Sequence, residues 1–264
     1  MIAELHRKEE LLGYLRKDTA AAVYFIGDLD DRYFDKCRWF ASVDAGSGEI
    51  ESLVLLYSHP AAATLLTLGE AAGIQETVKA MNHRWPSSFH AHLLPHHLPV
   101  FREHYAITGS SEIIRMVIRK DELNHHQLDK EYHEIVELTE KHGGAINELL
   151  RDYPGNFFSP EDLQSEYYYG LFDGVSLAAM CGVHAVPREF HIAALGNVVT
   201  RTSERGKGYA RRCTGYLLNE LCDFCDLVAL NVKADNKAAT RLYEKIGFKR
   251  YAILYLCFCE KNIG

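Results

Sequence analysis

The feature that most constrains the fold of this chain is a predicted strand that runs into a glycine-containing loop, which then opens a helix, within residues 198–212. Gly206 and Gly208 lie in the loop. Glycine allows a positive φ and a close approach of ligand to backbone because it has no Cβ atom. The helix start adds N–H groups without intrahelical partners and the positive end of the helix dipole. The segment therefore predicts a phosphate-binding loop.

Positive charge is concentrated at this loop in a chain that is acidic overall. The 264 residues include 29 Lys and Arg against 36 Asp and Glu, a formal net charge of −7. That balance disfavours a general nucleic-acid binder, and we expect no nucleic-acid partner. The basic side chains at the loop predict an anionic ligand instead. They are Arg205, Lys207, Arg211 and Arg212.

Two other phosphate-binding motifs fit the loop poorly. A nucleoside triphosphatase loop needs Gly-Lys followed by Ser or Thr, whereas Lys207 precedes Gly208. A dinucleotide-binding motif needs a third glycine where Arg211 stands. The helix that follows is well defined because its apolar residues recur at helical spacing. They are Ala210, Cys213, Leu217, Leu218 and Leu221.

A second informative segment covers residues 230–248, where a strand ends and another helix begins. Asp235 or Asn236 is expected to cap the helix. Gly247 is expected to end it in a left-handed conformation, with Phe248 as the accompanying apolar contact. The predicted buried stripe consists of Ala239, Leu242 and Ile246, and this spacing would put Tyr243 at the edge of the stripe.

Together the two segments resemble the GNAT superfamily of N-acyltransferases over about residues 132–260. The match consists of Arg205-x-x-Gly208-x-Ala210 and Asn236-x-x-Ala239-x-x-x-Tyr243-x-x-x-Gly247-Phe248. The residues Asn197-Val198-x-Thr200 look most like the glycine N-acyltransferase-like branch. The resemblance implies an α/β (α+β) fold, in which helices flank a mixed and mostly antiparallel sheet.

The resemblance also implies a site for acetyl-CoA or another short acyl-CoA. In the family, the loop backbone holds the CoA pyrophosphate, and the edge of the preceding strand pairs with the pantetheine arm. The residues expected to bind the co-substrate are Asn197, Val198, Val199, Thr200, Arg205, Gly206, Lys207, Gly208, Tyr209, Ala210, Arg211, Asn231, Asn236, Ala239 and Tyr243.

The resemblance also implies catalytic roles for residues of this chain in acyl transfer to an amine. A bulge at Val198 would leave an N–H that polarises the thioester carbonyl and stabilises the oxyanion. Tyr243 is expected to protonate the leaving thiolate. An alkylammonium with a pKa near 10.4 must also lose a proton before attack. The sequence leaves several candidates for this base open, and these are Glu166, His184, Glu189 and His191. For His184 a structural role is equally reasonable.

The chain is predicted to have two domains, residues 1–125 and 126–264, because a polar stretch separates two alternating helix and strand patterns. The first is an α/β domain that could be a degenerate GNAT-like half, since each half has a strand hairpin followed by helix and strand alternation. It lacks the Arg-x-x-Gly-x-Gly/Ala loop, so we expect it to have lost CoA binding.

No metal is expected. Cys222 with Cys225, and Cys257 with Cys259, could supply four zinc ligands, but their spacing meets only half of the usual pattern. Buried or free thiols are the preferred interpretation for all seven cysteines. A histidine cluster in the first half is expected to be solvated. It consists of His90, His92, His96, His97 and His104.

The function predicted from these observations is acetyl transfer to a primary amine, most simply on a small molecule. Two alternatives remain: a non-catalytic acyl-CoA-binding or sensing module, and a protein lysine or amino-terminal acetyltransferase. No stretch approaches the ~20 apolar residues of a membrane span, and the start lacks a secretory h-region. We therefore expect a cytoplasmic protein without a membrane partner. The acceptor and the oligomeric state stay open.

Overall fold

The structure is a computed structural model that describes residues 1–58, 63–122, 134–153, 158–165 and 167–262. These residues group into two compact units that are not contiguous in sequence. The first unit comprises Met1–Arg115, Val232–Asn236 and Tyr251–Gly264, and the second comprises Met116–Asn231 and Lys237–Arg250.

The predicted division at residue 125 falls in a segment, 123–133, that lies outside the described residues. The grouping nevertheless differs from that division, because Tyr251–Gly264 joins the first unit. The physical reason is strand pairing. The last strand of the chain is antiparallel to a strand at Ser88–Leu93, with Tyr255 opposite Leu93 and Glu260 opposite Ser88.

The first unit is a mixed sheet with helices, in the strand order β1-β2-β3-β4-β5-β12-β6. Its early strands form antiparallel pairs, and the Asp44 carboxylate fixes the hairpin turn by accepting hydrogen bonds from the Gly46 and Ser47 N–H groups. The strands are β1 (Ile2–Leu5), β2 (Cys37–Val43), β3 (Ile50–Tyr57), β4 (Thr64–Gly69), β5 (Ser88–Leu93), β6 (Tyr105–Arg119) and, at the end of the chain, β12 (Lys249–Lys261). The helices are α1 (Lys8–Leu15), α2 (Thr19–Gly27), α3 (Asp31–Phe34), α4 (Ala71–Met81) and α5 (Leu98–His104).

The second unit has the strand order β6-β11-β10-β9-β8-β7 and contains the predicted loop. The sequence predicts a hairpin turn at Asp173 and Gly174; the observed turn lies one residue later, since Asp173 pairs with Ser176 and the loop consists of Gly174 and Val175. The strands are β7 (Ile135–Glu137), β8 (Tyr169–Asp173), β9 (Ser176–Ala185), β10 (Ile192–Thr200) and β11 (Leu227–Lys233). The helices are α6 (Gly143–Leu150), α7 (Tyr209–Cys222) and α8 (Lys237–Ile246).

Both units repeat one strand pattern. The strands β1 to β4 pair antiparallel in sequence order, and β4 then pairs parallel with β5. The strands β7 to β10 do the same, and β10 pairs parallel with β11. The connection after the fourth strand differs, since only Glu70 separates β4 from α4, whereas residues 201–208 separate β10 from α7. The two units thus share a strand pattern, and the hypothesis that they are related halves stays a prediction.

Several elements differ from the sequence-based prediction. The helix α2 was not predicted, because it is apolar on nearly every side and therefore lacks helical periodicity; its buried residues include Ala20, Val23 and Ile26. The sequence pattern predicts a strand over Glu112–Arg119, whereas the observed strand β6 begins at Tyr105. The helix predicted for 160–168 is a 3₁₀ helix over Pro160–Ser165. Among the described residues, no helix is long and apolar enough to cross a membrane.

Candidate functional site

The loop between β10 and α7 has the backbone that its glycines predict. Gly206 and Gly208 adopt φ values of 83° and 82°. No described protein atom lies within 4 Å of the place where a Cβ would stand at either position. The left-handed backbone therefore favours glycine at both positions, and the space beside each is open.

The start of α7 fits a phosphate group. Gly208 is the N-cap residue and no side chain of the described residues caps the helix. The first turn contains no acidic residue. The N–H groups of Tyr209 and Ala210 precede the first intrahelical bond, which runs from the Arg212 N–H to the Gly208 carbonyl at 3.1 Å. The residues present fit the pyrophosphate of an acyl-CoA co-substrate.

Arg205 is held by Tyr153, a residue to which the sequence analysis gives no role in the site. Its Nη2 donates to the Tyr153 hydroxyl oxygen at 2.9 Å, and its guanidinium lies 5.7 Å from the centre of that ring. The Tyr153 hydroxyl in turn donates to the Thr200 carbonyl. The hydrogen bond to Tyr153 raises the pKa of Arg205 above its ordinary value. Arg205 is thus fixed relative to the end of β10.

Two of the predicted cations are neutralised by carboxylates of the same unit. Lys207 Nζ lies 2.6 Å from Glu204 Oε2, and this pair raises the pKa of Lys207 and lowers that of Glu204. Arg212 Nη2 lies 2.8 Å from Glu134 Oε2. The positive field at the loop is therefore weaker than the sequence indicates, and the backbone donors carry more of the expected anion binding.

The predicted bulge is present in β10. Gly196 pairs with Gly182 and Val199 pairs with Met180, so Asn197 and Val198 together oppose a single residue of β9. Such an extra residue is left out of the ladder hydrogen bonds. Val198 therefore lies in this bulge, and its role as oxyanion donor stays a prediction.

Asn197 has an unusual backbone for a non-glycine residue, with φ of 51°. It is 7% exposed. Its Nδ2 donates to the Tyr168 hydroxyl oxygen at 2.8 Å, and that hydroxyl donates to the Val183 carbonyl at 3.2 Å. From the sequence, Tyr168 could line an acceptor pocket or belong to the core; the structure places it in a buried core cluster.

His184 occupies a second irregularity, on the partner strand. Ala194 pairs with Ala185 and Leu195 with Val183, which leaves His184 as the extra residue of β9. Its ring lies over Gly196, where a Cβ would stand 2.4 Å from the ring. Part of the residue remains exposed to solvent. The protein atoms packed around the ring lower the pKa of His184 by desolvation, and the Asp162 carboxylate opposes this effect. A neutral imidazole beside the bulge suits a proton acceptor.

Tyr243 lies at the centre of the buried face of α8, which corrects the predicted stripe. The buried residues of the helix are Thr240, Tyr243 and Ile246, whereas Ala239 and Leu242 are half-buried. Tyr243 is 6% exposed and makes an edge-to-face contact with Phe248, with ring centroids 5.8 Å apart. The helix was predicted from its apolar residues, and its inward face proves to be rotated by about one residue.

The predicted end of α8 is confirmed. Gly247 has φ of 118°. The Phe248 N–H donates to the Tyr243 carbonyl at 2.9 Å, and the Gly247 N–H lies 3.1 Å from the Glu244 carbonyl. This is the Schellman arrangement. It fixes the backbone of Tyr243 from the C-terminal side.

The remaining predicted site residues are placed as follows. Asn231 is half-buried in β11, and Asn236 is exposed just before α8. Glu166 lies outside the described residues. Glu189 is exposed, and His191 Nδ1 lies 2.8 Å from the Phe224 carbonyl oxygen, which gives this histidine a local structural contact.

The histidine and cysteine groups take structural positions in the described residues. All seven cysteines are free thiols, and no three His, Cys, Asp or Glu side chains of the described chain come together as a metal site. The expectation of solvated histidines is wrong for His97, which is fully buried between the Thr67 hydroxyl and the Gly69 carbonyl at 2.7 and 2.9 Å. Desolvation lowers the pKa of His97 to about 4.

Comparison with known families identifies the segment that contains the glycine loop and α8. Residues 128–248 match the acetyltransferase (GNAT) family. This segment belongs to the GNAT acetyltransferases. The GNAT segment includes the loop, the bulge in β10 and the helix that carries Tyr243. The finer resemblance to the glycine N-acyltransferase-like branch stays a prediction.

Individual relatives agree with this assignment. The N-alpha-acetyltransferase RimI of Mycobacterium tuberculosis (strain ATCC 25618 / H37Rv) is 32% identical over 93 residues, which are 33% of this chain and 54% of RimI. The match thus spans about half the length of that curated relative.

Solved structures resemble the chain over nearly its whole length. A Drosophila protein has a TM-score of 0.73 at 13% identity, and each chain is covered to 98%. A tandem GNAT protein from the clavulanic acid biosynthesis pathway has a TM-score of 0.58 at 11% identity, again with 98% of each chain covered. At these identities the likeness concerns the fold, which is the mixed GNAT-like α/β fold expected from the sequence.

Proposed function

We propose that this protein is an N-acetyltransferase that moves the acetyl group of acetyl-CoA, or another short acyl group, to a primary amine of a small molecule. The observation that carries the proposal is the combination, in one unit, of an uncapped helix start behind two left-handed glycines and a bulge in the preceding strand. The first feature suits a pyrophosphate, and the second suits a thioester carbonyl.

In the proposed reaction the amine nitrogen attacks the thioester carbonyl carbon directly, in a ternary complex. Holding both reactants in line supplies a large part of the rate. The N–H of Val198 donates to the carbonyl oxygen as it becomes an oxyanion, and a single donor of this kind typically contributes about 3 kcal/mol. No covalent enzyme intermediate is required, so none of the buried thiols needs to react.

Proton transfer completes the reaction. The C–S bond breaks and the thiolate takes a proton, for which we propose the Tyr243 hydroxyl as donor. The attacking amine loses a proton, and we propose His184 as its acceptor, directly or through a water molecule, because its ring lies over Gly196 next to the bulge. A thiolate with a reference pKa of about 8.5 needs only a weak acid.

A second candidate function is amino-terminal acetylation of a protein. The relative named N-alpha-acetyltransferase RimI favours it, although the match covers 33% of this chain. A third candidate is an acyl-CoA-binding module without turnover, which the buried Tyr243 and the exposed His184 beside the bulge disfavour, since a sensor needs neither a proton donor nor an acceptor. An acceptor screen with small amines and amino-terminal peptides, read out as free CoA thiol, separates the three.

The first test of the proposal is a calorimetric titration with acetyl-CoA of the wild type and a Gly208→Asp variant. We expect micromolar binding by the wild type and its loss in the variant, because the new side chain adds a carboxylate and strain at φ of 82°. Gly174→Asp is the matched control, since Gly174 also has a positive φ, 60°, and open space, but lies in the β8–β9 turn.

The control separates loop chemistry from backbone strain. Gly174→Asp should bind acetyl-CoA as the wild type does. Loss of binding in both variants would assign the effect to strain, and absence of binding by the wild type would refute the proposed function.

A further inference from the structure

We infer that Asn197 and Tyr168 form a lock that sets the backbone of the β10 bulge and thereby aims the Val198 N–H at the thioester carbonyl. In this role both are positioning residues that act through Val198. The inference rests on the proposed function of Val198 and goes beyond it by naming what holds the donor in place.

The first step in the argument is that the bulge needs an external hold. Between the pairs Gly196–Gly182 and Val199–Met180 the ladder is interrupted, so the usual inter-strand hydrogen bonds do not fix the backbone there. Asn197 also adopts φ of 51°, a left-handed conformation that costs free energy for a residue with a Cβ. Such a conformation persists only where the surroundings determine it.

The second step is that Tyr168 supplies this hold from both strands. Its hydroxyl accepts from Asn197 Nδ2 in β10 at 2.8 Å and donates to the Val183 carbonyl in β9 at 3.2 Å. One buried hydroxyl therefore bridges the two strands where their own ladder is broken. Asparagine suits the position, because it tolerates the left-handed region and still offers an amide donor.

The third step is that Tyr168 is itself held in place by its surroundings. It is fully buried, and its carbonyl accepts from the Leu138 N–H at 2.7 Å. Its ring lies against Gly182, where a Cβ would stand 2.3 Å from a ring atom. The same core cluster includes Val199, the first residue after the bulge. The buried Tyr168 thus fixes the backbone conformation of Asn197 in β10, 29 residues away in sequence.

The fourth step concerns what the lock leaves untouched. The phosphate loop has its own supports, namely the left-handed glycines and the Tyr153 contacts with Arg205 and Thr200. Loss of the lock is therefore expected to change the polarisation of the thioester carbonyl and to leave the affinity for acetyl-CoA nearly unchanged. A general loss of stability would reduce both.

The test uses acetyl-CoA labelled with carbon-13 at the acetyl carbonyl and isotope-edited infrared spectroscopy of the full-length protein. In the wild type, we expect the bound carbonyl stretch to move to lower frequency than that of free acetyl-CoA. In Tyr168→Phe and Asn197→Gly we expect most of this displacement to disappear. In Tyr168→Phe, which changes no residue expected to bind the co-substrate, the acetyl-CoA dissociation constant should stay within about threefold of the wild type.

The two variants remove the lock in different ways. Tyr168→Phe keeps the ring against Gly182 and removes only the hydroxyl. Asn197→Gly keeps access to positive φ and removes the side chain with its amide donor. Tyr105→Phe is the matched control, since Tyr105 is 2% exposed and its hydroxyl has no hydrogen-bond partner in the described chain. It should retain the full displacement.

The outcomes separate the inference from the proposal beneath it. A wild type that binds acetyl-CoA without any displacement would refute the role of Val198. A displacement that is present in the wild type and unchanged in both variants would overturn the lock while leaving Val198 in place. Unchanged near-ultraviolet circular dichroism shows that each variant is folded.

Discussion

At the scale of single residues, the site depends on backbone conformations that few side chains tolerate. Gly206 and Gly208 adopt positive φ values in the loop, and Asn197 adopts a positive φ in the bulge. The glycines are recognisable from the sequence because residue type and conformation are directly linked. Asn197 is not, because its conformation depends on a hydrogen bond to Tyr168, 29 residues away.

The prediction at this scale concerns Tyr243. In Tyr243→Phe the ring keeps its contact with Phe248, whereas the proposed proton donor is lost. We expect kcat to fall by at least about tenfold, since general acid catalysis typically contributes 10²–10⁴-fold and a thiolate is an undemanding leaving group. The measurement is steady-state kinetics with the acceptor found in the screen. An unchanged kcat would assign Tyr243 to packing alone.

At the scale of elements, α8 shows how a helix end positions a side chain. Its amphipathic pattern predicts the helix, and Gly247 with Phe248 predicts its end. Both predictions are confirmed. The predicted inward face of α8 differs from the observed one by about one residue. Ala239 and Leu242 are apolar but only half-buried, whereas Thr240 is buried. Apolar spacing identifies a face to within about one residue, and packing decides the remainder.

The prediction at this scale compares two glycines of the second unit. Gly247→Ala should lower the thermal midpoint, because φ of 118° strains an alanine and its Cβ would stand 3.2 Å from the Ile118 side chain. Strain of this kind costs about 1–3 kcal/mol. Gly143→Ala should raise the midpoint slightly, since Gly143 has φ of −53° and open space around its Cβ position. Differential scanning calorimetry measures both, and equal shifts would contradict the argument.

At the scale of the whole molecule, the chain is interleaved between the two units. The first unit takes Tyr251–Gly264 from the end of the chain, and the second takes Met116–Arg119 from β6. A cut near residue 125 therefore removes strands from both units. The buried residues Leu254, Cys257 and Cys259 of β12 would lose their partner strand β5.

We accordingly predict that a fragment of residues 126–264 does not fold cooperatively and does not bind acetyl-CoA, even though it contains the complete loop. Co-expression with a fragment of residues 1–125 should restore both properties. The measurements are circular dichroism melting and calorimetry. Binding by the isolated fragment with the affinity of the full chain would show that the second unit folds without the interleaved strands.

The features that could be predicted from the sequence are those that neighbouring residues encode: the glycine loop and helix start, the capped end of α8, the β8–β9 hairpin to within one residue, and the family of residues 128–248. Each depends on side chains within one or two turns of chain. The tertiary structure decided the rest. The contact between Arg205 and Tyr153 joins residues 52 positions apart, and β12 pairs with a strand far earlier in the chain. Local periodicity carries no record of such pairings, because they form only when distant segments pack together.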